Sequence, residues 1–204
     1  ENGRVKDEGD FKLKTALRVI TEKYSLPMVM SPTQSIILSN IDPVDKEGIN
    51  NILMEHNVSK LSDVDPLSRL AMACPALPLC GLAQTEAERR MPEYLEIVRD
   101  ILNELNMEEQ EVMIRMTGCP NGCARPYMAE LAFVGDGMDT YQVWLGGSPV
   151  LDRLAWPFET KIKHENMKIF LLPIFKMFKE QKQKHESFGD FTNRVGSESI
   201  KEFM

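Results

Sequence analysis

The stretches Cys74-Pro-Ala-Leu-Pro-Leu-Cys80 and Cys119-Pro-Asn-Gly-Cys123 decide how this chain is interpreted, because together they contain all four of its cysteines. The spacings are C-x5-C and then C-x3-C. Four thiolates match the ligand set of a cubane iron–sulfur cluster, and soft sulfur donors select iron–sulfur clusters or zinc over hard cations. The cysteines are therefore candidate ligands of a metal centre.

The residues between the cysteines favour a cluster over zinc without excluding zinc. Structural zinc sites favour short knuckles in polar loops, whereas Cys74 and Cys80 enclose only Pro, Ala and Leu. Such an apolar wall suits a cluster, because low solvent exposure helps to set its reduction potential. Gly118 and Gly122 flank the second pair and allow the backbone to approach a bulky ligand, although ordinary turn glycines fit equally well. Spacing alone leaves zinc, free thiols and a disulfide open.

Composition and charge exclude several classes of function. With 43% hydrophobic and 27% charged residues, the chain has the composition of a soluble globular protein. No apolar run approaches the length of a membrane span, and the start at Glu1 has no signal-peptide pattern. A net charge of −7 argues against a dedicated nucleic-acid site. We expect a reducing compartment, the cytoplasm or the plastid stroma, and a truncated or processed piece of a longer protein.

The first part of the chain alternates helices and short strands. In chain order, the pattern predicts a helix over 11–24, strands over 27–31 and 35–39, and a helix over about 43–56. Asp42 and Pro43 suit the start of that last helix, since Asp caps and Pro fits a first turn. Residues 57–66 are polar and rich in turn formers, and they place a domain boundary, giving domains 1–62 and 63–204.

The second part of the chain also contains both predicted helices and predicted strands, so the predicted fold class is α+β. In chain order, we expect a helix from about Thr85 to Asn106, strands over 112–116, 130–135 and 141–146, a helix over 165–184 and a short segment over 188–195. Thr85 and Glu88 form a possible capping box, and Pro92 is expected to kink or divide the helix. Asp136 and Gly137 are expected in the turn between the paired strands.

Longer blocks around the cysteines carry a family resemblance. The blocks run from Cys74 to Arg89 (CPALPLCGLAQTEAER) and from Thr117 to Glu130 (TGCPNGCARPYMAE), and the ending from Glu186 to Arg194 reads ESFGDFTNR. Together they resemble the paired signature of the sulfite/nitrite reductase hemoproteins, and the resemblance covers the whole chain. It implies a ferredoxin-like half-domain at 1–62, followed by an α/β siroheme and iron–sulfur domain at 63–204.

The resemblance also implies cofactors and site residues. A 4Fe–4S cluster would be held by Cys74, Cys80, Cys119 and Cys123, and Cys123 would also supply the axial thiolate of siroheme. Electrons would pass from the cluster through Cys123 to siroheme, where sulfite is reduced by six electrons to sulfide. Gln34 would face the siroheme, with a turn-capping amide as the alternative. Arg125 would pair with a siroheme carboxylate, with a surface ion pair as the alternative.

The subtype, the electron donor and the missing part follow from the same resemblance. The runs 76–84 and 127–135 are similar to the ferredoxin-dependent enzymes, so ferredoxin is the expected donor and a flavoprotein reductase the other possibility. Nitrite remains an alternative substrate, and a zinc-stabilised, non-catalytic binding domain remains an alternative class. The family's N-terminal half, which carries most of the basic residues that grip sulfite, is absent. We therefore expect the 204-residue chain alone to be inactive.

Overall fold

The computed structural model describes residues 3–204, whose contacts fall into two compact units, Gly3–Asp65 and Pro66–Met204. The functional domains 1–62 and 63–204 stay a prediction, and residues 1 and 2 of the first lie outside the described residues. Within the described chain, no helix has the length and apolar character that crossing a bilayer requires. Helices and mixed sheets together confirm the α+β class.

The first unit packs two helices with a two-stranded sheet. In chain order its elements are α1 (Leu13–Tyr24), β1 (Met28–Met30), β2 (Ile36–Leu38) and α2 (Lys46–Glu55). The strands pair antiparallel with Val29 opposite Ile37. Asp42 caps as predicted, because its Oδ1 accepts a hydrogen bond from the Val44 N–H at 3.0 Å in the short turn that leads into α2.

The core of the first unit comes from one face of each helix. Ala16 and Ile20 of α1 pack with Leu26 and with Ile49 and Ile52 of α2. The spacings of three and four residues place these side chains on single helical faces, and this spacing is the pattern that predicted the first helix.

The second unit is a five-stranded mixed sheet with helices. In chain order its elements are α3 (Pro66–Leu70), β3 (Met72–Ala73), α4 (Met91–Glu104), β4 (Ile114–Thr117), β5 (Leu131–Gly137), β6 (Thr140–Leu145), β7 (Trp156–Lys163), α5 (Met167–Gln181) and α6 (Phe188–Phe203). The strand order is β3-β4-β5-β6-β7. The first three strands run parallel and the last three antiparallel, with β5 common to both sets. Helix α6 breaks at Gly196, whose φ is 81°.

The core of the second unit takes alternate residues of the central strands. Ile114 and Met116 of β4 belong to the same buried cluster as Tyr94 of α4, Phe175 of α5 and Phe191 of α6. Because successive side chains of a strand point to opposite faces, the intervening Arg115 belongs to the other face of the sheet. The two faces of β4 therefore have different roles.

Helix α4 begins later than the sequence predicts. It starts at Met91, and the predicted capping box is wrong, since the Thr85 hydroxyl donates to the Tyr141 hydroxyl at 3.3 Å and the Glu88 N–H donates to the Cys74 carbonyl at 3.0 Å. Pro92 lies in the first turn, where its missing N–H costs no hydrogen bond, so the predicted kink is also wrong. Long-range contacts have replaced the local cap.

Two further differences concern the antiparallel strands. Strand β7 was not predicted, because its pattern of half-buried and exposed residues lacks a clear alternation. The predicted turn at Asp136 and Gly137 lies inside β5, and the chain reverses instead at Met138 and Asp139, where Asp139 has a φ of 52°. Aspartate tolerates this left-handed conformation better than most residues.

Candidate cysteine-lined cofactor site

Parallel pairing of β3 and β4 brings the two cysteine pairs to one edge of the sheet. Met72 of β3 lies opposite Arg115 of β4. Cys74 follows β3 directly, and Cys119 comes two residues after the end of β4. The Cys74 N–H donates to the Met116 carbonyl at 3.1 Å, so the pairing extends to the first cysteine. Because parallel strands end at the same edge, both cysteine loops leave the sheet together.

Gly118 joins the two loops through both of its backbone groups. Its N–H donates to the Cys74 sulfur at 3.3 Å, and its carbonyl accepts from the N–H groups of Gln84 at 2.7 Å and Thr85 at 3.2 Å. A Cβ at this position would lie 2.6 Å from the Thr85 carbonyl oxygen and 2.7 Å from the Ala76 Cβ. Only glycine fits, so the loops meet through backbone contacts that a larger residue would break.

The first loop turns tightly around Ala76. Ala76 has a φ of 48°, and its carbonyl accepts from the N–H groups of Leu79 at 3.0 Å and Cys80 at 2.8 Å. The Cys80 carbonyl in turn accepts from the Ala83 N–H at 3.2 Å. These bonds define the path of the backbone on both sides of Cys80, so that its sulfur is presented from an ordered turn.

The second loop reverses direction around Gly122. Gly122 has a φ of 70°, and its carbonyl accepts from the Arg125 N–H at 2.7 Å. Arg125 itself has a φ of 50°, an uncommon conformation for a side-chain-bearing residue. A short 3-10 turn, Pro126–Met128, follows. The loop leaves Cys123 exposed to solvent, while Cys119 is buried.

The thiols influence one another electrostatically. Burial raises the pKa of the Cys74 thiol, and the nearby Cys123 and Cys119 thiolates raise it further, while the Gly118 N–H opposes the shift. Cys74 and Cys119 are buried, and Cys80 is half-buried. Neighbouring buried thiols are difficult to ionise without positive charge, which a metal centre supplies when it displaces their protons. The arrangement therefore suits metal binding better than isolated thiols.

The other two predicted site residues lie in different units. Arg125 is half-buried in the second unit, and its Nη1 lies 3.8 Å from the Met128 sulfur. Gln34 is exposed in the first unit, with a φ of 58° and its Oε1 at a long 3.5 Å from the Gly3 N–H. The structure thus brings Arg125 together with the cysteine loops, and the siroheme contacts of both residues stay predictions.

Arg115 is a residue of this region that sequence reasoning missed. It is only 1% exposed, and its Nη1 donates to the Arg125 carbonyl at 3.2 Å. A single charge within the apolar run 112–116 was the available signal. Desolvation lowers the pKa of Arg115 to about 10, helped by the neighbouring charge of Arg125 and opposed by Tyr127.

Glu130 was also missed, and it supports the far end of the second loop. Its carboxylate is 2% exposed and accepts from the N–H groups of Met113 at 2.8 Å and Gly189 at 2.9 Å. Burial raises the pKa of the Glu130 carboxyl, and these N–H groups partly offset the shift. Nothing in the local sequence separates it from a surface glutamate, because its partners are distant along the chain.

A single metal ion and a four-iron cluster require different spacings between their ligands. Across residues 3–204, no three His, Cys, Asp or Glu side chains stand close enough to hold one metal ion. This finding addresses an ion such as zinc, whose ligands converge on one centre. In a four-iron cluster each thiolate binds a different iron, so its cysteines stand farther apart. Four thiols on two joined loops, with an N–H group directed at one sulfur, fit that donor set.

Comparison with known proteins supports this interpretation. No family model matches the chain. It is 46% identical over 202 residues to the sulfite reductase (ferredoxin) of Synechococcus elongatus, covering 99% of this chain and 32% of the relative. It is 40% identical over 196 residues to the sulfite reductase (NADPH) hemoprotein beta-component of Staphylococcus carnosus, covering 96% of this chain and 34% of the relative. The chain thus spans about a third of these curated relatives.

Solved structures agree at the level of the fold. The NirA protein of Mycobacterium tuberculosis matches 91% of this chain and 36% of its own, with a TM-score of 0.66 and 19% identity. Dissimilatory sulfite reductase I matches 98% of this chain and 67% of its own, with a TM-score of 0.63 and 13% identity. Over the third of its curated relatives that it spans, the chain is therefore similar in sequence to sulfite reductases, and it shares its fold with NirA.

Proposed function

We propose that this chain is the cluster-carrying part of a sulfite reductase. The observation that carries the proposal is the parallel pairing of β3 with β4, which delivers both cysteine pairs to one edge of the sheet, where Gly118 joins them. Two curated relatives, matched over 202 and 196 residues, are named sulfite reductases. The relevant activity is the six-electron reduction of sulfite to sulfide.

Each cysteine has a defined place in this proposal. Cys74, Cys80, Cys119 and Cys123 would hold a 4Fe–4S cluster, and the Cys123 thiolate would also be a ligand of siroheme. When bound, these groups supply electron transfer and an iron on which sulfite is reduced. Burial of Cys74 and Cys119 excludes water from part of the site, while the exposure of Cys123 leaves its sulfur accessible to a second centre.

The electron donor and the residues that bind sulfite are separate from the four cysteines. The relative of the ferredoxin type is 46% identical and the relative of the NADPH type is 40% identical, which favours ferredoxin as the donor. Because the chain spans about a third of these relatives, we place the basic sulfite-binding residues in the remaining two thirds. A reducing compartment, the cytoplasm or the plastid stroma, stays a prediction that suits four thiolate ligands.

The first test is the cofactor content of the chain. Anaerobic reconstitution with iron and sulfide should load about four of each per chain, as one cubane cluster requires. Replacing any one of the four cysteines with serine should lower that content severalfold, since a hard oxygen ligand suits iron–sulfur clusters poorly. Iron and acid-labile sulfide assays with visible absorption provide the measurement.

An exposed leucine of the same unit provides the control for the cysteine substitutions. Leu154→Ser changes an exposed side chain at 62% exposure in the same unit and should leave the content unchanged. A colourless chain that takes up zinc instead would refute the proposal in favour of a binding domain. The isolated chain is expected to produce no sulfide, and steady sulfide production by it would contradict the assignment of sulfite binding to the remaining part.

A second test separates the Arg125 side chain from its backbone. Glycine adopts a φ of 50° without strain, so Arg125→Gly should preserve the loop while removing the guanidinium. In the full-length protein we expect the iron and sulfide content to be unchanged and the midpoint of chemical unfolding not to decrease. The siroheme content should fall about tenfold, because one charged pair with the cofactor is lost. Absorption of extracted siroheme is the measurement. Undiminished siroheme would contradict a role for Arg125 in carboxylate binding.

A further inference from the structure

Within the part of the chain that the structure describes, Arg115 is a buried cation without a matching carboxylate. Its side chain is 1% exposed and lies on the face of β4 opposite the hydrophobic core. Its Nη1 donates to the Arg125 carbonyl, while its Nε has no hydrogen-bond partner among the described residues. Among residues 3–204, no carboxylate forms an ion pair with Arg115. The carbonyl satisfies one N–H, but it does not neutralise the charge.

A buried charge without compensation is costly and therefore informative. Removing an ion from water is strongly unfavourable unless an opposite charge or a full set of hydrogen bonds replaces the solvent. The depressed pKa of Arg115 reflects this desolvation. Thr117, two residues further along β4, is fully buried, and its hydroxyl also has no hydrogen-bond partner in the described part of the chain. Two unsatisfied polar groups therefore share one face of the strand that leads into Cys119.

The position of Arg115 links it to the cysteine loops. Strand β4 ends at Thr117, immediately before Gly118 and Cys119. The residue that Arg115 contacts, Arg125, follows the last cysteine by two positions. The guanidinium is thus held between the strand that enters the second loop and the backbone that leaves it. A strong negative charge expected next to this strand and loop is the one that the cysteines create on loading.

We infer that Arg115 is the internal counter-charge of the anionic thiolate cluster held by the two cysteine loops, an inference that rests on the proposed function. Four thiolates around an iron–sulfur core carry net negative charge, and the addition of an electron makes it more negative. A fixed cation nearby therefore stabilises the reduced form more than the oxidised form. Arg115 acts as a positioning and tuning residue, because it also holds the Arg125 carbonyl at the exit of the loop.

The inference predicts opposite effects in the loaded and unloaded chain. In the reconstituted protein at a fixed ambient potential, Arg115→Met should lower the ratio of reduced to oxidised cluster by about tenfold, which is about 59 mV for one electron. Arg115→Lys retains the charge and should change the ratio by less than about twofold. In the metal-free chain, Arg115→Met should unfold at the same or a higher urea concentration, because it removes an uncompensated buried charge.

A matched variant and clear contrary outcomes complete the test. Arg99→Met removes one positive charge from helix α4, where the arginine pairs with Glu96, and should leave the ratio unchanged. Mediated redox titration followed by visible absorption measures the ratio, and far-ultraviolet circular dichroism verifies folding. If Arg115→Met does not fold, Arg115→Gln provides the same loss of charge.

Four outcomes would overturn the inference. The inference requires the ratio of reduced to oxidised cluster to depend on the charge at Arg115. An unchanged ratio in the Met variant contradicts it, as does an equal loss in the Lys variant. A metal-free Met variant that unfolds at clearly lower urea assigns Arg115 a purely structural role. A wild-type chain that takes up no iron or sulfide refutes the proposed function first, and thereby the inference that rests on it.

Discussion

Replacing Gly118 with alanine is expected to separate the two cysteine loops. The new Cβ would lie 2.6 Å from the Thr85 carbonyl oxygen and 2.7 Å from the Ala76 Cβ, so the backbone of one loop must move. We expect a loss of about 3 kcal/mol in the free energy of unfolding of the metal-free chain, as for severe overpacking. Because Gly118 also donates to the Cys74 sulfur, cluster affinity should fall about 10–100-fold.

Gly81 provides the matched control for this substitution. It lies in the first loop next to Cys80, and a Cβ there would meet nothing within 4 Å. Gly81→Ala should therefore leave both the unfolding free energy and the iron and sulfide content near their original values. Equal effects of the two substitutions, or a Gly118→Ala chain that loads a full cluster, would contradict the role assigned to Gly118.

Replacing Glu130 with alanine is expected to destabilise the second unit strongly. The N–H groups of Met113 and Gly189 would lose their buried acceptor, at a cost of about 2–5 kcal/mol for the pair. Urea unfolding followed by tryptophan fluorescence is the measurement, since Trp144 and Trp156 both belong to this unit. Glu109→Ala, which removes an exposed carboxylate, should change the unfolding free energy little.

The same carboxyl gives a pH dependence with a definite sign. Burial raises the pKa of Glu130 above its ordinary value of 4.5. Between the ordinary and the raised pKa, the folded chain therefore binds more protons than the unfolded chain. The stability contributed by Glu130 is therefore greatest below the ordinary value and decreases as pH rises towards the raised value. The stability advantage of the wild type over Glu130→Gln should shrink as pH rises from about 4 towards neutrality. An advantage that grows over this range would contradict the direction of the shift.

Local patterns were sufficient for most of the helices. The apolar spacing that predicted a helix over 11–24 corresponds to α1, and the spacing over 165–184 corresponds to α5. The spacing of apolar residues predicts these helices correctly because each helix buries one face, which requires apolar side chains every three or four residues. The cap at Asp42 was predictable for a similar reason, since its partner is two residues away.

Predictions failed where the competing partner was distant along the chain. The Thr85 hydroxyl bonds to Tyr141, 56 residues away, in place of the predicted local cap. Strand β7 pairs with β6 through a ladder with two register irregularities, which removes the simple alternation from its sequence. Sequence windows contain neither kind of information.

The sequence by itself determined the identity of the candidate ligands, because the metal-binding chemistry of four cysteines in two spaced pairs does not depend on the three-dimensional structure. It also determined the family resemblance through the residues around those pairs. Only the tertiary structure decided that β3 and β4 run parallel, that Gly118 joins the loops, and that Arg115 and Glu130 are buried beside them. The physical reason is that ligand type is a property of single side chains, whereas burial, compensation of charge and close backbone approach depend on segments that meet only when the chain folds.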